Sequence, residues 1–167
     1  MPLIDSLLPE FDREMGLTRR VLERVPDGQF AWKPHEKSMS LGRLAEHLAE
    51  LPQWATMTLK ESGIDMATRR PPEYRSPATR AEVLAMFDQN QKDARASLVG
   101  KTDGELFAPW TLRNQGKEIF TMPKVAVMRG FVMNHLIHHR GQMSVYLRLQ
   151  NVPVPSIYGP SADESPF

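Results

Sequence analysis

The chain has 167 residues, of which 41% are hydrophobic and 25% are charged, a composition typical of one globular domain with a sizeable core. Its net charge of +1 is too small to predict binding to nucleic acid or to an anionic membrane. Because the chain contains no cysteine, it excludes disulfides, thiolate metal sites and a cysteine nucleophile. A bound metal would therefore need nitrogen and oxygen ligands.

The N-terminal residues MPLIDSLLPEF include early acidic residues and no basic region before an apolar run, so no signal peptide is predicted. No apolar stretch approaches the roughly 18 residues that a membrane-spanning helix needs. We therefore expect a cytoplasmic protein that forms a single domain over residues 1–167.

Apolar residues with helical spacing predict a first helix from about Pro2 to Arg24. The turn residues Pro26 to Gly28 end it, and residues 29–40 are predicted to form a loop.

A second helix is predicted to begin with Ser38 or Ser40 as its N-cap. Its apolar stripe consists of Leu41, Leu44, Leu48, Leu51 and either Trp54 or Ala55. Glu46 and Glu50 are expected to lie largely outside this stripe. Pro52 is expected to kink the helix or to restart it.

Residues 64–78 are rich in proline and arginine and lack periodicity, which indicates a long crossover connection. A third helix follows, because Thr79 and Glu82 have the spacing of a capping box. Gly100 is expected to end this helix.

The residues between Phe107 and Met122 favour a short β-hairpin or irregular flap with a turn at residues 114–116. Pro123 suits the first turn of a long last helix that continues to about Gln150, and the Pro- and Ser-rich tail is not helical. We therefore predict an all-α, antiparallel four-helix bundle with a long crossover and a hairpin or flap before the last helix.

The last helix contains the run NHLIHHRGQ. Its predicted buried stripe consists of Met128, Val132, His135, His139, Gln142, Tyr146 and Leu149. His135 and His139 lie one helical turn apart on one face, about 6 Å between Cβ atoms, which suits a shared metal ion. His47 falls on the buried side of the second helix. Three imidazoles with a fourth position open to water would form a catalytic-type site for Zn²⁺ or a similar ion.

Each histidine also has an ordinary explanation as a hydrogen-bonded core residue. No glutamate follows His135 as in HExxH proteases, and no pair of Glu-x-x-His motifs predicts a di-iron site. We therefore favour one mononuclear ion that lowers the pKa of a bound water or thiol, which would act as the nucleophile.

Other candidates have weaker support. His138 lies about 100° around the helix from His139; it would hydrogen-bond a carboxylate near the metal, shuttle a proton or, as we favour, pack on another helix. For His35 a surface loop is favoured over the mouth of the site, and for Arg140 an ion pair over an anion clamp. The sequence does not indicate whether the hairpin or Tyr158 borders the site.

Three segments, LGRLAEHLAEL, NHLIHHRGQ and VPVPSIYGPSADE, resemble the DinB family of small bacterial proteins, the DinB/YfiT-like metalloenzymes. The resemblance covers essentially the whole chain. It implies a four-helix bundle in up-down-down-up order, a homodimer, and one divalent ion, nickel or zinc, on histidines that match His47, His135 and His139. One departure is Asn151, where related chains often have glycine.

Relatives in this family include S-transferases and isomerases that use low-molecular-weight thiols such as bacillithiol or mycothiol. The resemblance thus implies a metal-dependent transferase that adds a thiol to small electrophilic molecules. The alternatives are a hydrolase that uses metal-bound water and a non-catalytic, dimeric metal-binding or stress-response protein. No nucleic acid or membrane is expected as a partner.

Overall fold

Four long helices enclose the main core of the computed structural model, which describes residues 1–68 and 75–165. The helices are α1 (Ile4–Leu22), α2 (Leu41–Lys60), α3 (Arg80–Leu98), a short α4 (Asp103–Phe107), and a final helix that begins with α5 (Lys124–Val127) and ends with α6 (His135–Leu149). Both α1 and α2 pack against α3 and against α6. The protein is thus mostly helical. In the part of the chain that the structure describes, every helix is too short or too polar to cross a lipid bilayer.

The helix ends follow the predicted capping residues. The Ser40 hydroxyl accepts a hydrogen bond from the backbone N–H of Arg43 (3.2 Å), and Thr79 caps α3 in the same way. Asn151 ends the final helix with a φ of 56°, in the left-handed region that asparagine tolerates. α2 continues through Pro52, so the predicted restart is wrong.

Side-chain contacts at two heights fix the relative directions of three helix pairs. For α1 and α3 these contacts are Arg19 with Asp88 and Asp12 with Arg95. For α2 and the final helix they are Leu59 with Lys124 and Met39 with Tyr146. For α1 and the final helix they are Glu10 with Arg129 and Glu14 with Arg140. α1 and α3 are therefore antiparallel, α2 and the final helix are antiparallel, and α1 and the final helix are parallel.

A π-helical segment, Met128–Asn134, joins α5 to α6. A π turn holds more residues than an α turn, so the residues after it are rotated relative to an unbroken α-helix. The predicted stripe is consequently wrong for Gln142 and Leu149, which are exposed. The residues that α6 buries are Leu136, His139, Arg140, Met143 and Leu147.

The expected all-α fold is confirmed in part: the chain is mostly helical but also forms a small three-stranded sheet. The strands are β1 (Gly63–Asp65), β2 (Pro109–Asn114) and β3 (Lys117–Pro123), and a 3₁₀ turn, Met66–Thr68, follows β1. The predicted hairpin is confirmed: β2 pairs antiparallel with β3 across a two-residue turn in which Gln115 and Gly116 both have positive φ. β1 pairs parallel with β2. Three residues are too few to show strand periodicity.

The predicted crossover begins with this short strand. The carboxylate of Asp65 accepts hydrogen bonds from the backbone N–H groups of Gln115 (3.0 Å) and Gly116 (2.7 Å), which fasten the tip of the hairpin to β1. Residues 69–74 of the predicted crossover lie outside the described residues.

A second, smaller core lies under the hairpin. It contains Trp110, Leu112 and Val127, with the partly buried Trp54 and Phe120 packed against it. These residues come from β2, β3, α2 and α5, so the hairpin is held beside the start of the final helix. That position brings β3 next to the π segment.

The tail after the final helix is not helical, as predicted, and charged groups hold it to the helices. Asp163 forms an ion pair with Arg148 of α6. Glu164 forms ion pairs with both Arg20 of α1 and Arg24 just after it. The tail therefore lies across the ends of α1 and α6.

Candidate metal centre

Three imidazoles converge between α2 and α6. The Nε2 atom of His135 lies 3.3 Å from Nε2 of His47 and 2.9 Å from Nε2 of His139. One ring nitrogen of each residue lies within 4.8 Å of the other two, so the three histidines could hold a metal ion. The structure thus brings together all three residues that the sequence selects as ligands.

A hydrogen bond on its far side directs His139 toward this centre. The Nδ1 atom of His139 lies 2.7 Å from the amide oxygen of Gln142, which can only accept a hydrogen bond. We therefore place the ring proton on Nδ1, which leaves the lone pair of Nε2 facing the other imidazoles. Metal-binding histidines commonly have such a partner, which fixes the tautomer and the orientation of the ring.

The π segment lies directly before His135. The backbone N–H of His135 bonds to the carbonyl oxygen of Val132, instead of Phe131 as in a regular α-helix. The backbone of Phe131 acts to raise the pKa of the His135 imidazole, against the lowering by burial, so its carbonyl group lies near the ring.

The arrangement of the nitrogens fits a cation. With its Nδ1 atom protonated, His139 presents the lone pair of Nε2 to His135 and His47, where a cation can accept it. Two nitrogens bound to one tetrahedral Zn²⁺ at about 2.0–2.1 Å are roughly 3.3 Å apart. The distances of 2.9 and 3.3 Å between the Nε2 atoms are close to that separation.

Burial keeps the two α6 histidines neutral, the state that a metal ligand needs. His139 is only 8% exposed, and this burial lowers its pKa to about 4. Burial is also the main cause that lowers the pKa of His135, and the neighbouring His47 adds to the effect.

Acidic residues of α2 lie beside His47. Glu46 and Glu50 lie off the leucine stripe, as predicted, but they are buried there, at 2% and 5% exposure. Arg43 lies within 3.4 Å of both carboxylates and neutralises part of their charge. The Nδ1 atom of His47 is buried without a hydrogen bond among the described residues, and a Glu50 oxygen lies 3.9 Å from it. Glu50 thus places a negative charge near His47 without a hydrogen bond to its ring.

An open groove of ≈ 380 Å³ lies beside His135. It is lined by Gly130, Phe131, Asn134, His135 and His138. The groove therefore leads a small molecule to one edge of the three-imidazole centre.

The remaining candidates are placed as follows. His138 is exposed and lines the groove, with its ring 4.9 Å from that of His139, so the prediction that it packs on another helix is wrong. His35 is exposed in the loop before α2, and its Nδ1 atom accepts a hydrogen bond from the backbone N–H of Lys37.

Arg140 is buried and forms an ion pair with Glu14 (2.7 Å), in agreement with the ion-pair interpretation. The hydroxyl of Tyr158 donates to the Glu14 carboxylate and accepts from Arg140. Arg140 and Tyr158 therefore join α6, α1 and the tail.

Sequence reasoning missed the roles of Gln142 and of the π segment. The sequence places Gln142 only in the apolar stripe, although its spacing of three residues from His139 is the signal for a side-chain pair on one helix face. No sequence signal indicates the π turn that precedes His135.

The hairpin borders the groove through two aromatic rings. The ring of Phe120 in β3 packs on the ring of Phe131, with centroids 4.7 Å apart. The hairpin therefore lies beside Phe131 and the groove, a position that the sequence did not indicate.

Comparisons with known proteins agree with the resemblance seen in the sequence. The chain is 27% identical over 165 residues to the uncharacterized protein YrdA of Bacillus subtilis (strain 168), covering 96% of this chain and 91% of that protein. A DinB-like protein from Bacillus cereus ATCC 10987 has a similar structure, with a TM-score of 0.72, 23% identity, and coverage of 94% of this chain and 98% of that one. For YjoA, a DinB-like protein of Bacillus subtilis, the TM-score is 0.66, the identity 19%, and the coverage 87% and 92%.

At these identities the two solved structures show a shared fold. The model of the DinB family matches residues 2–166, nearly the whole chain, and this protein therefore belongs to the DinB family.

Proposed function

We propose that this protein is a metal-dependent enzyme in which the Nε2 atoms of His47, His135 and His139 hold one divalent ion, zinc or nickel. The observation that carries the proposal is the convergence of three ring nitrogens within 4.8 Å of one another. The groove beside His135 supports an exchangeable position for a small ligand. The ligand cluster found among the described residues has three members, as expected of a catalytic rather than a closed structural site.

We further propose that the reaction is the transfer of a small thiol to an electrophile. An ion bound by the histidines would lower the pKa of a coordinated thiol. The thiol proton leaves to solvent, the sulfur forms a bond to the electrophilic carbon, and the leaving group departs with the bonding electrons. Gln142 holds the imidazole of His139 in place, and the groove admits the electrophile.

Metal analysis of the purified protein tests the first part. We expect about one ion per chain, and we expect the variants His47→Ala, His135→Ala and His139→Ala each to lose it. His35→Ala is the matched control, because His35 is an exposed loop histidine that makes no contact with the centre. A His139→Ala variant that keeps its full metal content would contradict the proposal.

Turnover tests the second part. Protein loaded with zinc or nickel should accelerate the conjugation of a low-molecular-weight thiol with 1-chloro-2,4-dinitrobenzene, and the three histidine variants should not. Rates at background with metal bound would exclude the transfer. Ester or amide hydrolysis without thiol would indicate the hydrolase, and metal without any turnover would indicate the non-catalytic alternative.

The remaining family properties are part of the same proposal. The contacts that fix the helix directions support an up-down-down-up order of α1, α2, α3 and the final helix. A homodimer is proposed on the family resemblance, and the exposed apolar side chains of Val145 and Leu149 on α6 are available for such a contact. Sedimentation equilibrium of the metal-loaded chain tests it.

A further inference from the structure

The groove beside the three histidines has one aromatic wall. Phe131 is 38% exposed although its ring packs on Phe120, so the rest of its surface is open to the groove. A β-carbon added at the neighbouring Gly130 would meet nothing within 4 Å, so the floor beside the ring is free for a ligand. Aromatic rings bind other flat rings by stacking or edge contacts, beyond the gain from buried area.

The other side chains of the groove are polar. In the described part of the chain they are Asn134, His135 and His138. The exposed Asn134 amide offers both a hydrogen-bond donor and an acceptor. The lining therefore favours a ligand that has a hydrogen-bonding group beside its ring.

The groove and the centre share one residue. His135 lines the groove with its ring and contributes Nε2 to the three-imidazole cluster. A ligand that lies against Phe131 is therefore held next to the position where the proposed thiol would bind.

From these three observations we infer that the groove binds the electrophilic substrate, and that this substrate is a small molecule with an aromatic ring and a hydrogen-bonding group. Its ring stacks on Phe131 and its polar group hydrogen-bonds to Asn134. The role of this ligand as the substrate rests on the proposed function, whereas the binding preference of the groove is independent of turnover.

Two probes test the aromatic contact: benzamide has the ring and an amide, and acetamide has the amide without the ring. We measure their dissociation constants for the full-length, metal-loaded protein by ligand-observed NMR. Benzamide should bind about tenfold more tightly than acetamide, the upper end of what an aromatic contact adds. Equal affinities for the two probes would overturn the inference.

Substitutions locate the binding. Phe131→Leu should weaken benzamide binding about tenfold, whereas Phe131→Tyr, which keeps the ring, should retain it. Phe107→Leu is the matched control, because Phe107 is another exposed phenylalanine, 58% exposed and outside the groove. Asn134→Ala should weaken benzamide binding several-fold, because the amide of the probe then loses its hydrogen-bond partner. Unchanged benzamide affinity in Phe131→Leu or in Asn134→Ala would contradict the assignment.

Metal content and conjugation rates of the same samples separate this inference from the proposed function. If the histidines hold no metal but benzamide still binds through Phe131, only the proposed function fails. If metal and conjugation are present but the groove does not distinguish the two probes, only the inference fails.

Discussion

At the scale of single residues, the centre depends on the side chains that orient its imidazoles. Gln142 is exposed, and its amide oxygen holds the tautomer of His139. Gln142 is therefore the residue through which the orientation of this ring can be tested.

We predict that Gln142→Leu lowers the affinity of the protein for zinc about 10- to 100-fold, because His139 then loses the acceptor that fixes its proton on Nδ1. Competition with a chromogenic chelator measures the affinity. Gln142→Glu should restore most of it, since a carboxylate also accepts this hydrogen bond. Gln53→Leu, an exposed glutamine on α2, is the control. Wild-type affinity in Gln142→Leu would show that the hydrogen bond does not orient the ligand.

The pH dependence of stability follows from His139. Burial lowers the pKa of this group from 6.5 to about 4 in the folded protein, so the unfolded chain binds the proton more readily. The metal-free protein should therefore lose stability as the pH falls from about 6.5 to about 4. Urea unfolding at several pH values measures this slope.

The slope should be smaller in metal-free His139→Gln, which has no group that titrates there. His138→Gln, at an exposed position, should keep it. Identical slopes in the wild-type protein and His139→Gln would show that another group controls the acid sensitivity.

At the scale of elements, a helix or strand was predictable when its sequence pattern extended over many residues or included a specific turn. Long helices with capping residues such as Ser40 and Thr79 were predicted to within a few residues, because capping and periodicity act over many positions. The hairpin was predicted because its Gln115-Gly116 turn has a specific chemistry. Strand β1 was not, because its pairing with β2 depends on residues about 48 positions away in the chain.

The candidate site likewise has features that the sequence predicted and features that it did not. His47, His135 and His139 were found from spacing, because a separation of four residues on one helix places two side chains together in any surroundings. The groove and the orienting groups were not found, because they depend on the register of α6 after the π segment. A register change of this kind leaves no mark in an apolar pattern that repeats every three or four residues.

At the scale of the whole molecule, the Arg140–Glu14–Tyr158 cluster joins the final helix, α1 and the tail. Arg140 and Glu14 are 2% and 5% exposed, so each needs the charge of the other. The tail supplies the third member, and its ion pairs with α1 and α6 add further contacts.

We predict that Arg140→Met lowers the free energy of unfolding by about 3–5 kcal/mol, because it leaves the Glu14 carboxylate buried without its partner. The double variant Arg140→Met/Glu14→Leu should recover most of this loss, since no unpaired charge remains. Urea unfolding of the two single variants and the double variant measures the coupling. A double variant as unstable as Arg140→Met would show that packing rather than charge explains the loss.

His47 and His135 are separated by 88 positions in the chain, yet their nitrogens lie 3.3 Å apart. The site therefore exists only after α2 has docked against α6; neither helix alone can assemble it. Ion uptake during refolding would consequently report the final docking event rather than helix formation. A saturating ion would also stabilise the folded chain, because it binds residues from distant parts of the sequence. The free energy of unfolding would then increase with the logarithm of the free ion concentration.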